Sequence, residues 1–355
     1  MGAVRFTVFL VVSMVIITKV QSNDLAPIPP ARAAVESWFQ QNIKSTTLNP
    51  VLQTAEKNRK EIKVGPGGQF KTINEALKSI PPGNTGRVVI NIAKGVYNER
   101  IKVERTKPFI TFRGEPGTIV QASGTAKQYG TYDSATVDIQ GDYFIAAHII
   151  FKNTAPKPTK ADAAAQSSAG VQAVAFRIGG NMAAFYSCKF YGYQDTLLDE
   201  KGRHFFKSCY IEGTIDFIFG SGKSLYLLSE IHTLKQEWTT VITAQGKVEA
   251  NEDSGFSFVH CTVTGETPGV TYLGRAWQKM AEVAFLYSSI GNAIHPLAWD
   301  AFNKPKTFTF SEFQNTGAGA DLKGRAPFMK KLDGPGAKNY LNLGYIQASK
   351  WLLPP

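Results

Sequence analysis

The chain has 355 residues, with 39 Lys+Arg against 28 Asp+Glu and five histidines. That length holds one large or two modest domains. Its formal charge of +11 suits a polyanionic partner, yet no long Lys/Arg run or nucleic-acid signature is present. The histidines (148, 204, 232, 260, 295) show no metal-ligand spacing, and neither a metal nor an organic cofactor is expected.

Residues 1–22 read as a secretory signal peptide. Arg5 precedes an apolar run, Phe6 to Ile17, and Val20 and Ser22 are small enough to flank a cleavage site. The run is too short for a membrane span of roughly 20 residues; an uncleaved anchor is the alternative. No later stretch is long and apolar enough to span. Cleavage leaves 355 − 22 = 333 residues with net charge (39 − 2) − 28 = +9, since the leader carries Arg5 and Lys19. The expectation is a soluble, exported, monomeric protein with no nucleic-acid or membrane partner. Outside the cell a basic protein meets acidic polysaccharide more readily than nucleic acid.

Residues 23–62 form a Pro-rich N-terminal arm with a short helix around 33–41. From Lys63 to the C-terminus the chain reads as short β-segments punctuated by Gly, Asn and Asp, with one helical stretch near 72–79. These segments repeat. Phe185-x-x-Cys188-x-Phe190-x-Gly192 is followed by Phe206-x-x-Cys209-x-Ile211-x-Gly213, Tyr226-x-x-Ser229-x-Ile231, Phe258-x-x-Cys261-x-Val263-x-Gly265 and Phe285-x-x-Ser288-x-Ile290. A fainter copy is Phe144-x-x-Ala147-x-Ile149. A period near 20 residues without intervening helices indicates an all-β solenoid, a single-stranded parallel β-helix with one coil per repeat. A β-sandwich is the competing fold. In a solenoid, Cys188 and Cys209 occupy one position in adjacent coils. Coils about 4.8 Å apart place them near disulfide range, so a Cys188–Cys209 bridge with Cys261 free is expected. The alternative is a ladder of buried thiols.

The same period stacks chemistry. Asp195 lies seven residues after Cys188, and Asp216 lies seven after Cys209. Gln194 adjoins the first, and Gln172 lies 22 residues before Gln194. Two close carboxylates split their pKa values, leaving one charged and one protonated. Amide N–H groups can stabilise an oxyanion. The set fits acyl transfer through a carboxylate nucleophile. Arg275 is the candidate cation to hold that carboxylate. Spacing alone also allows both aspartates to be turn residues that cap backbone groups.

Five motifs, in order, resemble the plant pectinesterases (pectin methylesterases): Gly-Val-Tyr-Asn-Glu (95–99), Gln-Ala-Val-Ala-Phe (172–176), Tyr-Gln-Asp-Thr-Leu (193–197), Asp-Phe-Ile-Phe-Gly (216–220) and Leu-Gly-Arg-Ala-Trp (273–277). The likeness covers about Lys63 to the C-terminus. It implies a right-handed parallel β-helix in an enzyme that hydrolyses galacturonate methyl esters in cell-wall pectin. By resemblance Asp216 is the nucleophile, Asp195 the acid/base, Gln172 and Gln194 the oxyanion donors, and Arg275 the arginine that binds substrate and orients the nucleophile. Trp277 matches a substrate-contacting tryptophan, Thr131 a substrate-binding threonine, and Trp299 is a further candidate for sugar stacking. Partners implied are methylated homogalacturonan and a proteinaceous pectinesterase inhibitor. Ala276 stands where the motif usually has proline, which removes no functional group. The roughly 40 residues between leader and catalytic domain are too few for a four-helix inhibitor-like pro-region.

The rival enzymatic reading is a pectin-cleaving glycosidase, since paired carboxylates serve that chemistry too. A non-catalytic pectin-binding wall protein is the third. No Gly-x-Ser-x-Gly motif is present, and Gly-Ser-Gly-Lys-Ser (220–224) lacks the earlier glycine of a phosphate loop.

Overall fold

The computed structural model describes residues 24–43, 48–158, 170–236 and 239–355. The expected leader, 1–22, lies outside the described residues. Parallel strands dominate, arranged in a sheet of 17 and a sheet of 8. The larger sheet contains two columns of strands that share Ile110–Ala122 and Ile145–Asn153. With the smaller sheet they make a right-handed parallel β-helix with three faces.

Each face contributes an inward column. The first runs Ile90, Phe112, Ala146, Phe185, Phe206, Tyr226, Phe258, Phe285. From Phe185 onward the rings stack face to face, 4.4–4.5 Å apart and within 12° of parallel. The second runs Phe151, Phe190, Ile211, Ile231, Val263, Ile290. The third belongs to the smaller sheet: Ile101, Val137, Phe176, Leu197, Ile218, Thr243, Gly274, Trp299. The repeat in the sequence is therefore the first two columns read along the chain. Its faint copy is out of step: Ala146, not Phe144, is the register partner of Phe185. Phe144 packs edge-on against Phe112 at 5.1 Å, in space that a small Ala146 leaves open.

The interior also holds a polar network around His204. His204 Nδ1 lies 2.5 Å from Asp199 Oδ1, His204 Nε2 lies 2.9 Å from the Gly180 carbonyl, and the Tyr226 hydroxyl donates to Asp199 Oδ2 at 2.7 Å. All three side chains are buried, and their mutual bonds offset the cost of desolvation.

The expected disulfide is absent. Cys188, Cys209 and Cys261 are free and buried. Cys188 and Cys209 do face each other across adjacent coils, joined by Tyr210 N–H donating to the Cys188 carbonyl at 2.9 Å. In-register parallel side chains project in the same direction with Cβ atoms about 4.8 Å apart, whereas a disulfide needs about 3.8 Å and converging vectors. Each thiol instead donates to a backbone carbonyl: Cys188 to Tyr186 at 3.5 Å, Cys209 to Phe185 at 3.5 Å, Cys261 to Tyr226 at 3.4 Å.

Helices serve the ends of the solenoid. Ile73–Lys78 begins with a capping box between Thr72 and Glu75, as the helical stretch near 72–79 led one to expect. In the arm, Val35–Asn42 matches the expected helix, and Pro50–Lys57 is a second, started by the Asn49 side chain accepting from Leu52 N–H. Trp38, Phe39 and Leu52 of the arm, with Leu341, Ile346 and Trp351 near the C-terminus, cover outward apolar residues of the larger sheet such as Phe205, Leu225 and Leu286. Among the described residues both chain-end segments thus seal the larger sheet's flank rather than the smaller sheet's outer face. Among the described residues no helix is long and apolar enough to cross a membrane.

Alkylation of denatured protein without reductant should label all three cysteines; peptide mapping that finds two of them linked would contradict this ladder.

Candidate active site

The outer face of the smaller sheet carries the outward column Lys102, Asp138, Arg177, Leu198, Phe219, Ala244, Arg275, Asp300. Eight strands at about 4.8 Å span roughly 34 Å. The chain segments that lead into these strands bring Gln172, Gln194, Asp195 and Asp216 together at mid-length. Ala173 N–H donates to the Gln194 carbonyl at 3.1 Å, and Asp195 N–H donates to the Ile215 carbonyl at 3.1 Å. The predicted residues are therefore consecutive rungs of one ladder.

Asp195 and Asp216 both take a left-handed backbone, φ 62° and 51°, uncommon for a non-glycine residue. This lets each aspartate occupy a corner while its neighbours Leu197 and Phe217 turn into the core. The turn also requires room: a Cβ on Gly213 would come within 2.3 Å of Phe217 Cβ. The glycine that closes the repeat is thus tied to the geometry of the aspartate corner.

Asp195 and Asp216 are 7% and 6% exposed. Arg275 donates from a terminal guanidinium nitrogen to Asp216 Oδ2, the contact the sequence left open. Asp216 Oδ1 has no hydrogen-bond partner among the described residues. The guanidinium lies 4.1 Å over the ring of Phe302 and 6.0 Å from that of Trp277, and the two rings stack at 5.9 Å and 20°. Burial raises the Asp216 pKa, opposed by the charge and hydrogen bond of Arg275, while Asp300 pushes it up. Asp195 is held well above the usual carboxylate range, first by burial and then by the charge of Asp216, with Arg275 and Gln194 opposing. Asp216 is accordingly the member of the pair that ionises first.

Gln172 Oε1 accepts from Gly170 N–H at 2.8 Å, which leaves its NH₂ group free to donate. Gln194 is buried beside Asp195. Trp277 is 46% exposed, an accessible aromatic surface at the rim. Thr131 lies in the turn before Tyr132–Ser134, and the preceding helical turn, Ala126–Tyr129, is tied to the Gln172 segment by Ala126 N–H donating to the Gln172 carbonyl at 2.8 Å. Trp299 cannot serve as a sugar platform. It is 1% exposed, points inward beside Gly274, stacks on Phe310 at 4.6 Å and donates Nε1–H to Glu312 at 3.0 Å. Sequence reasoning missed Phe302 and Asp300. Neither lies in a recognisable motif, and both reach Arg275 only through coil stacking.

A family model for pectinesterase matches residues 62–348. The chain belongs to the pectinesterase family. It is 46% identical over 348 residues to Probable pectinesterase 50 of Arabidopsis thaliana, covering 95% of this chain and 94% of the relative. The pectin methylesterase from carrot superposes with a TM-score of 0.76 at 32% identity, over 83% of this chain and 96% of that one. A pectin methylesterase solved in complex with a hexasaccharide gives 0.71 at 27% identity, over 82% and 98%. As a pectinesterase the chain is an enzyme, a carboxylic ester hydrolase whose reaction is the demethylesterification of pectin.

Both aspartates have folded pKa values above the ordinary carboxylate value. Their contribution to stability is full below that ordinary value and is lost as pH rises through the raised ones. Asp195→Asn should therefore gain in Tm relative to the native chain as pH rises from 4 to 8; a Tm difference independent of pH would contradict the assigned direction.

Proposed function

We propose that this pectinesterase works through an aspartate nucleophile and a second aspartate as acid/base. The observation that carries the reading is the Arg275–Asp216 ion pair one coil from a carboxyl with a higher pKa. Arg275 keeps Asp216 ionised and fixes Oδ2, while Oδ1 is not engaged by another side chain. A carboxylate oxygen of Asp216 attacks the methyl-ester carbonyl carbon of a galacturonate unit. Charge develops on the carbonyl oxygen, where the amide N–H groups of Gln172 and Gln194 receive it. Collapse breaks the bond to methoxide, which leaves as methanol with the proton of Asp195. The acyl-enzyme is an anhydride. Asp195, now ionised, takes a proton from water; the hydroxide adds to the substrate carbonyl, Asp216 departs as carboxylate, and the product is a free galacturonate.

In this reading the polysaccharide lies along the outward column of the smaller sheet, with Trp277 as a stacking surface and Thr131 at the opposite side of the catalytic pair. Partners are methylated homogalacturonan and a proteinaceous pectinesterase inhibitor, and the leader would direct the enzyme to the cell wall. Each turnover adds a negative charge to the polymer, which a chain of net charge +9 attracts.

Asp216→Asn preserves shape and removes the nucleophile. Methanol release from highly methylated pectin should fall by roughly four to six orders of magnitude with Tm maintained. Methanol release near the native rate would overturn the assignment, and new reducing ends without methanol would point to glycoside cleavage.

A further inference from the structure

Asn153 closes the strand Ile145–Asn153 and is buried beneath the catalytic rungs. Its side-chain NH₂ reaches three backbone carbonyls from three segments: Gly124 at 2.8 Å, Val174 at 3.0 Å and Ser134 at 3.4 Å. Its Oδ1 accepts from Ala155 N–H at 2.9 Å, which fixes the orientation of the amide. Ser134 completes the junction. Its hydroxyl donates to the Thr131 carbonyl at 2.7 Å and accepts from Val174 N–H at 3.1 Å. The approach is close, because a Cβ on Gly124 would lie 2.7 Å from the Ser134 carbonyl oxygen.

Residues 172–174 precede the strand that begins at Phe176 and are held by a few inter-coil bonds. On one side they are held by Ala173 N–H to the Gln194 carbonyl at 3.1 Å. On the other they depend on Asn153, Ser134, and the bonds from Ala126 N–H to the Gln172 carbonyl and Thr136 N–H to the Val174 carbonyl. Asn153, at the end of a strand of the larger sheet, ties this irregular segment to that sheet. The position of the Gln172 amide along the rung therefore depends on a side chain that does not reach the cleft.

We infer that Asn153, assisted by Ser134, is a positioning residue that places the Gln172 N–H group against the developing oxyanion. The inference rests on the oxyanion role proposed for Gln172. A small displacement of such a donor is costly, since a shift of about 1 Å can lose on the order of 100-fold in rate. A buried asparagine that only satisfies stray carbonyls would affect folding without a specific link to Gln172.

A double-mutant cycle on methanol release separates the two, with folding followed by circular dichroism and Tm. Asn153→Ala should lower kcat by roughly 10- to 100-fold, and Gln172→Ala by roughly 100- to 1,000-fold. The double variant should be no slower than Gln172→Ala alone, because a misplaced donor costs nothing once the donor is gone. Losses that multiply would overturn the inference, as would an unchanged kcat in Asn153→Ala. Should Asn153→Ala not fold, Ser134→Ala, which removes a single hydroxyl, takes its place in the same cycle with the same two outcomes. If Gln172→Ala leaves kcat intact while Asp216→Asn abolishes it, the oxyanion role of Gln172 fails and the inference with it. Multiplying losses beside a strong Gln172→Ala effect remove the inference alone.

Discussion

Parallel stacking in register imposes one constraint on this molecule: whatever stands at a given position of one coil lies about 4.8 Å from the same position of the next. Everything else follows from how each column uses that spacing. Aromatic rings tolerate it well, and the ladder from Phe185 to Phe285 stacks at 4.4–4.5 Å. Thiols tolerate it as neighbours but not as a bond, so Cys188 and Cys209 remain separate. Carboxylates do not tolerate it unless something compensates, and that is the position of Asp195 and Asp216.

The compensation is asymmetric. Arg275 pairs with Asp216, while burial and its neighbour's charge hold the Asp195 carboxyl well above the usual carboxylate range. An unpaired buried carboxylate costs several kcal/mol, as does a like-charge pair. The same spacing that makes the pair unstable as two anions thus separates their titrations, with Asp216 ionising first. Arg275 is in turn held by Trp277 and Phe302, so the charge asymmetry depends on aromatic residues two and three coils away from Asp216.

Where the site opens is decided at the chain ends. The arm and the C-terminal segment cover the larger sheet's outward apolar residues. The smaller sheet carries Lys102, Asp138, Arg177, Arg275 and Asp300 along its outer column. The rigid coils below fix the rungs, while irregular stretches such as residues 170–174 rely on buried side chains, Asn153 and Ser134, for their placement.

The sequence by itself determined the solenoid, the identity of its first two core columns from Phe185 onward and the convergence of Gln172, Gln194, Asp195 and Asp216. A repeat of inward residues is a local pattern, and stacking turns a fixed sequence offset into spatial proximity. It misjudged contacts that depend on the direction of a side chain within the stack. Trp299 reads equally well as a sugar platform or a core residue until the register with Gly274 turns it inward. Cys188 and Cys209 look bridgeable until parallel Cβ vectors keep them apart. Phe144 fits the repeat by composition and lies two residues out of step. Only the tertiary structure brought Arg275 onto Asp216, set Phe302 against it and made Asn153 a support for Gln172. Those pairs come from coils 59, 27 and 19 residues apart, and no local pattern encodes which coil lies beside which.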